Sequence, residues 1–227
     1  MFTKLFGTDR KNIKENCIIL PSNDRSLFSP PGASVTRGML FDVCLTRAAA
    51  LISPKSRWLA GDCVLLLEDT GCRNIFLFGS CAGLQADIAE KGVISSSVNL
   101  ESFTNLMNFS QSFYSKVLPD EETTRRLKEY ASLKSLRCAT VSSLVLESIM
   151  AGELRTAGVE CLDMESSMVF TAAKKTGKKA AALMYVSDLP GEINFYDSFP
   201  RGVSSRIKNS RRELARTLRE FLKSELP

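Results

Sequence analysis

A chain of 227 residues with 44% hydrophobic and 24% charged side chains has the composition of an ordinary globular domain, which excludes a disordered or collagen-like chain. The formal net charge is +5, and eight basic residues lie between Arg201 and Lys223 against the acids Glu213, Glu220 and Glu225, so that one segment carries the whole excess. Histidine is absent, which removes Ser-His-Asp and Cys-His triads and most zinc sites and leaves acid and base chemistry to carboxylates.

Met1 to Asn16 is charged throughout and lacks the apolar stretch of a signal peptide, and no apolar run approaches the ~18–20 residues of a membrane helix. A cytoplasmic protein without a membrane span is expected. The seven cysteines, scattered from Cys17 to Cys161 without a C-x-x-C pair, read as reduced thiols used as small core residues.

The first strand is expected from Cys17 to Leu20, ended by Pro21-Ser22-Asn23-Asp24, with further strands from Phe41 to Leu45 and from Ala50 to Ile52. Leu59, Val64, Leu66 and Leu67 fit a helix from Trp58 to Thr70, with Gly71 as its left-handed cap. The strand from Ile75 to Phe78 runs into Gly79-Ser80-Cys81-Ala82-Gly83, a turn of small residues whose amides could approach an anion or a sugar. Asp120 is the expected N-cap of a charged helix reaching about Tyr130. A strand from Cys138 to Val141 precedes a helical segment from Leu144 to Met150 that loses definition towards Gly158.

Met164, Met168, Val169, Ala172 and Ala173 share one face of a helix from Met164 to Thr176, closed by Gly177. A strand from Ala180 to Val186 follows and ends on Ser187-Asp188-Leu189-Pro190-Gly191. The last element is a helix with a basic solvent face, its apolar side formed by Ile207, Leu214, Leu218, Phe221 and Leu222. No nucleic-acid motif accompanies those charges. Strands alternating with helices, without a linker or repeat, predict one α/β domain over residues 1–227, a three-layer αβα sandwich around a mixed, mostly parallel sheet. The strands from Ile75 and from Ala180 are its expected inner strands.

Two carboxylates stand out by position: Glu165 at a helix start, and Asp188 after a buried strand, where ligands gather in open α/β sheets. Each also has a plain structural reading, as a first-turn acid and as a turn residue. The run Glu160-Cys161-Leu162-Asp163-Met164-Glu165-Ser166-Ser167, followed about twenty residues later by Val186-Ser187-Asp188, resembles the paired signature of the nucleoside phosphorylase and nucleosidase superfamily. Gly79 to Gly83 is similar to that family's phosphate and ribose turn.

The resemblance implies cleavage of the N-glycosidic bond of a nucleoside. Glu165 would accept hydrogen bonds from the ribose hydroxyls, Met164 would pack under the sugar, and Asp188, oriented by Ser187, would protonate N7 of a purine as it leaves. Ser142 and Ser143 would border the base. Gly79, Ser80 and Arg25 would meet inorganic phosphate as co-substrate; no cofactor or metal is implied, and the partner copies of a dimer or hexamer are.

Three departures concern the nucleophile. Leu77 stands where phosphorolytic members place an arginine, Ser22-Asn23-Asp24-Arg25 replaces a Gly-Asp-Pro-x-Arg type loop, and Ser53-Pro54-Lys55-Ser56-Arg57 replaces a glycine-rich segment. Hydrolysis instead would need a carboxylate to activate water, and Asp24 is the candidate, with a turn aspartate as its other reading. A nucleoside-binding protein with little or no catalysis is the third alternative.

Overall fold

A computed structural model of the chain describes residues 1–100, 116–194 and 196–225. Ten strands run β1 (Asn16–Ile19), β2 (Thr36–Arg37), β3 (Phe41–Leu45), β4 (Ala50–Pro54), β5 (Asn74–Gly83), β6 (Lys91–Leu100), β7 (Lys116–Val117), β8 (Lys134–Val141), β9 (Cys161–Asp163) and β10 (Lys179–Asp188). The described helices are α1 (Phe2–Phe6), α2 (Ala60–Leu66), α3 (Glu121–Ala131), α4 (Leu144–Thr156), α5 (Ser166–Lys175) and α6 (Val203–Ser224).

The central strands carry continuous apolar runs between polar ends because both faces are covered. Cys17, Ile19, Ile75, Leu77, Ala180, Ala182 and Met184 face a core completed by Val64 of α2 and by Val169 and Phe170 of α5. Their neighbours Ile18, Phe76, Phe78, Ala181, Leu183 and Tyr185 face Leu214, Leu218 and Phe221 of α6 and Leu127 of α3. Around β1, β5 and β10 the expected helix-sheet-helix layering is therefore present, with β5 and β10 as inner strands.

The sheet itself differs from the expected open sandwich. Its strands follow the order β10-β6-β8-β9-β5-β1-β4-β3-β2, and β5 also pairs with β10, so five strands close into a barrel while β1 to β4 extend from it. Parallel and antiparallel pairings are equally numerous, five of each. The mostly parallel sheet is thus corrected to a mixed one. Closure follows from the length of β5, whose first half pairs with β1 and whose end turns to β9.

The expected glycine turn is also corrected: Gly79 to Gly83 continues β5, Gly79 to Ala82 in register with Met184 to Asp188 and Gly83 opposite Cys161 of β9. Neither Gly79 nor Gly83 has a positive φ. Gly83 is required by close approach, since a Cβ there would be driven into the carbonyl oxygen of Ala86. Residues with little or no side chain let the barrel close at this point.

Two helix boundaries move for local reasons. The expected helix from Trp58 begins as a 3-10 turn, Arg57–Leu59, and α2 ends at Leu66. Gly71 is not left-handed, because the Thr70 hydroxyl, donating to Leu67 O and accepting from Cys72 N, turns the chain instead. Met164 lies outside α5, which starts at Ser166 because the Ser166 amide donates to Asp163 Oδ2. Asp120 caps α3 as expected, accepting from Thr123 N at 2.9 Å, and Gly177 after α5 has φ +64°. All seven cysteines are buried free thiols. Among the described residues no helix is long and apolar enough to cross a membrane.

Candidate active site

The carboxyl ends of β1, β4, β5 and β10 lie along one edge of the sheet, and the sequence-derived candidates distribute around it. β10 ends in an irregularity between Val186 and Asp188. Such a bulge re-aims the side chains that follow it. Ser187 Oγ reaches Cys81 O of β5 at 3.4 Å and Asp188 Oδ1 at 2.6 Å. Asp188 is buried, and that burial pushes its carboxyl above the ordinary range, against the Ser187 hydrogen bond and the Arg57 charge.

Glu165 sits at the corner between β9 and α5, only 4% exposed. Its Oε2 accepts from Met164 N at 3.3 Å, and Arg57 Nε lies 3.7 Å from its Oε1. The Arg57 guanidinium also lies 3.8 Å from Met164 Sδ. One arginine therefore touches Glu165 and Met164 and acts electrostatically on Asp188. It comes from the 3-10 turn after β4, in the segment that stands where the resembled family has glycines, and its side chain is 44% exposed. A lone arginine after Ser-Pro-Lys-Ser carries no motif, so nothing in the sequence singles out Arg57.

The corner that carries Glu165 is fixed by a buried polar network absent from the sequence-derived list. Asp163 Oδ1 accepts from Thr140 Oγ1 at 2.7 Å and from Ser166 Oγ at 3.0 Å. Thr140 Oγ1 accepts from Ser167 N at 2.9 Å and lies 2.9 Å from Ser97 Oγ. Thr140 has one proton, committed to Asp163, so Ser97 is the donor in their contact. Burial raises the Asp163 pKa against these hydrogen bonds. No local pattern announces such a set, drawn from β6, β8, β9 and α5.

β5 offers an open edge beside this corner. β1 pairs with it as far as Leu77 and β9 only from Ala82, so among the described residues no strand covers that edge from Phe78 to Cys81. Gly79 is buried and Ser80 half-buried there. A Cβ on Gly79 would meet only the flexible Met184 side chain, Sδ at 3.4 Å and Cε at 3.9 Å, so packing alone does not demand glycine.

Two candidates after β1 have protein partners. Asn23, with φ +57°, turns the chain, and Asp24, buried, forms an ion pair with Arg211 of α6. Burial raises the Asp24 pKa, with Arg211 opposing. Tyr185 beside them is pushed up to about 12, by burial first and then by the Asp24 charge, against a hydrogen bond with Ser80. Arg25 NH1 lies 3.5 Å from Asp42 Oδ2, whose other oxygen is 3.8 Å from Lys55. Ser142 is exposed and Ser143 half-buried, just past the end of β8.

The structure thus sets Met164 and Glu165 against Arg57, pairs Ser187 with Asp188 at the end of β10 within the influence of the same charge, leaves Gly79 and Ser80 on an uncovered stretch of β5, and gives Asp24 and Arg25 to separate ion pairs.

Comparison with known proteins bears on the family and the fold. The chain is 29% identical over 136 residues to the DeoD-type purine nucleoside phosphorylase of Brevibacillus brevis, a stretch covering 56% of this chain and 57% of that enzyme. It superposes on the Plasmodium knowlesi homologue of the P. falciparum PNP with a TM-score of 0.73 at 15% identity, over 99% of this chain and 94% of the other. With the 5'-methylthioadenosine/S-adenosylhomocysteine nucleosidase of Campylobacter jejuni the TM-score is 0.71 at 13% identity, over 94% and 100%. The sequence pattern of the Phosphorylase superfamily matches residues 26–223, and the chain belongs to that superfamily.

Proposed function

We propose that the chain, acting as one cytoplasmic unit without a cofactor, cleaves the N-glycosidic bond of a purine nucleoside by phosphorolysis. The observation that carries this is the buried Glu165 at 3.7 Å from the Arg57 guanidinium, whose charge also acts on the buried Asp188, 23 positions further along the sequence. Bond cleavage builds positive charge on the ribose and negative charge on the departing base. Glu165, its carboxylate held by Arg57 and the Met164 amide, accepts the sugar hydroxyls and faces the developing cation, with Met164 under the ring. Asp188, kept protonated to higher pH by burial and oriented by Ser187, supplies the proton to N7. Ser142 and Ser143 border the base.

Phosphate is favoured over water as nucleophile by two features. The half-exposed Arg57, 3.7 Å from Glu165, is a cation available to phosphate in a chain that has Leu77 where phosphorolytic members place an arginine. Asp24, the candidate base for water, is committed to Arg211, and Arg25 is a phosphate ligand only if it leaves Asp42. The purine preference draws on the N7 role of Asp188 and on the Brevibacillus relative. A homo-oligomer is part of the same proposal, and sedimentation of a species near 25 kDa at micromolar concentration would count against it.

Release of hypoxanthine from inosine and of adenine from adenosine and methylthioadenosine, with and without phosphate, tests the reaction. Phosphate-dependent release is expected. Equal release without phosphate makes the chain a hydrolase, and binding without release makes it a nucleoside-binding protein.

A further inference from the structure

One large cavity has none of Glu165, Arg57 and Asp188 in its lining. Its volume is about 910 Å³, and it opens between the β3–β4 hairpin and the carboxyl end of α6. That volume lies within the range of small-molecule sites, roughly 300–1,000 Å³. Ile18, Leu51 and Leu222 contribute buried apolar surface to the lining, as does Phe28. Arg47, Arg219 and Lys223 complete it, and no carboxylate takes part.

The three cations have no ion-pair partner among the described residues. Of the nearby acids, Glu213 holds Lys91 and Glu225, just past the helix, holds Arg126, while Glu220, three positions before Lys223, forms no ion pair with any of the three. Lys223 has a reason of its own to be there, since a cation in the last turn suits the helix dipole. That reason does not extend to Arg47, which sits in the hairpin, or to Arg219. Like charges gathered over an apolar floor repel one another and are best relieved by an anion whose body displaces water from that floor.

We propose that this cavity is a second binding site, for a small amphipathic phosphate monoester whose apolar body lies on Ile18, Phe28, Leu51 and Leu222 while the phosphate meets Arg47, Arg219 and Lys223. Two guanidinium forks and an ammonium suit a phosphate dianion better than a single carboxylate. The Ser29 and Thr46 positions in the lining add hydroxyl-bearing residues at the cavity wall. None of the residues assigned to nucleoside cleavage belongs to the lining.

Octyl phosphate, below its micellar concentration, is the probe, titrated by calorimetry into the full chain at low ionic strength. One saturable site is expected, at least tenfold tighter than for inorganic phosphate or for octyl glucoside, since each supplies only half of the recognition. The double variant Arg219→Ala/Lys223→Ala should weaken binding at least tenfold, and Arg216→Ala, an exposed cation of the same helix outside the lining, should leave it unchanged. Alanine favours helix, and an unaltered circular dichroism spectrum checks that α6 is kept. Absence of saturable binding overturns the proposal. So does binding weakened by Arg57→Ala but not by the double variant, because that places the probe in the nucleoside site. A dimer of the parent chain that the double variant dissociates also overturns it, by giving the cavity to a second copy.

Discussion

Replacing Asp188 by Asn separates its chemical role from its structural one. The amide has the carboxylate's shape, and its oxygen can still accept the Ser187 hydroxyl that lies 2.6 Å from Oδ1. Glu165, Met164 and Arg57 are untouched, so nucleoside affinity should stay nearly intact. Turnover should fall by about 10²–10⁴-fold, the usual contribution of a positioned general acid, equivalent to about 2.7–5.4 kcal/mol of barrier. A purine nucleoside alkylated at N7, whose base departs without protonation, should restore turnover. Stability should move the other way. Burial raises the folded-state pKa of Asp188, so the folded parent binds this proton more tightly than the unfolded chain does. Its contribution is intact below the ordinary carboxyl range and is lost as pH rises through the raised folded value. The Asn variant escapes that loss. It should be at least as stable as the parent at neutral pH, with the gap closing towards about pH 4. Steady-state kinetics and thermal unfolding across this interval measure both effects. A variant that turns over the natural nucleoside as fast as the parent refutes the acid role, and one less stable at neutral pH shows instead that the charged carboxylate is held by Arg57.

Glu165→Gln removes the charge facing the sugar, so both affinity and turnover should fall, by roughly ten- to a hundredfold in kcat/KM for loss of a charge-assisted hydrogen bond of about 1.5–3 kcal/mol; the N7-alkylated nucleoside should not rescue it. Thr140→Val takes from Asp163 and the Ser167 amide their shared hydroxyl, and urea denaturation should show a loss of about 1–3 kcal/mol. Gly83→Ala forces a Cβ into the Ala86 carbonyl and should cost about 1–3 kcal/mol. Gly79→Ala should change stability by less than about 0.5 kcal/mol yet weaken phosphate activation, if the anion lies over that strand edge.

Several elements were legible because their causes are local. The apolar runs of β1, β5 and β10 are continuous since both faces are buried, and the stripe of Leu214, Leu218, Phe221 and Leu222 has helical period. Asp120 and Gly177 mark helix ends by their own side-chain chemistry or lack of it. β6 was not foreseen: Ser95, Ser96, Ser97 and Asn99 interrupt its apolar pattern, and Ser97 is spent on the Thr140 network rather than on hydrophobic contact. β9, three residues long, gives no periodicity to detect. Gly79 to Gly83 read as a turn because glycine is depleted in strands; only closure against β10 and β9 makes it one.

The sequence by itself determined the core strands β1, β5 and β10 and the principal helices, and its resemblance to a known family singled out Glu165 and Asp188. Tertiary structure decided that Arg57, from the turn after β4, lies against Glu165 and Met164 and acts electrostatically on Asp188, and that Asp24 belongs to Arg211. Those relations join residues from separate strands and loops, and charges act through space. A linear pattern can register the types of residue available, but only the closed sheet sets which carboxylate meets which cation.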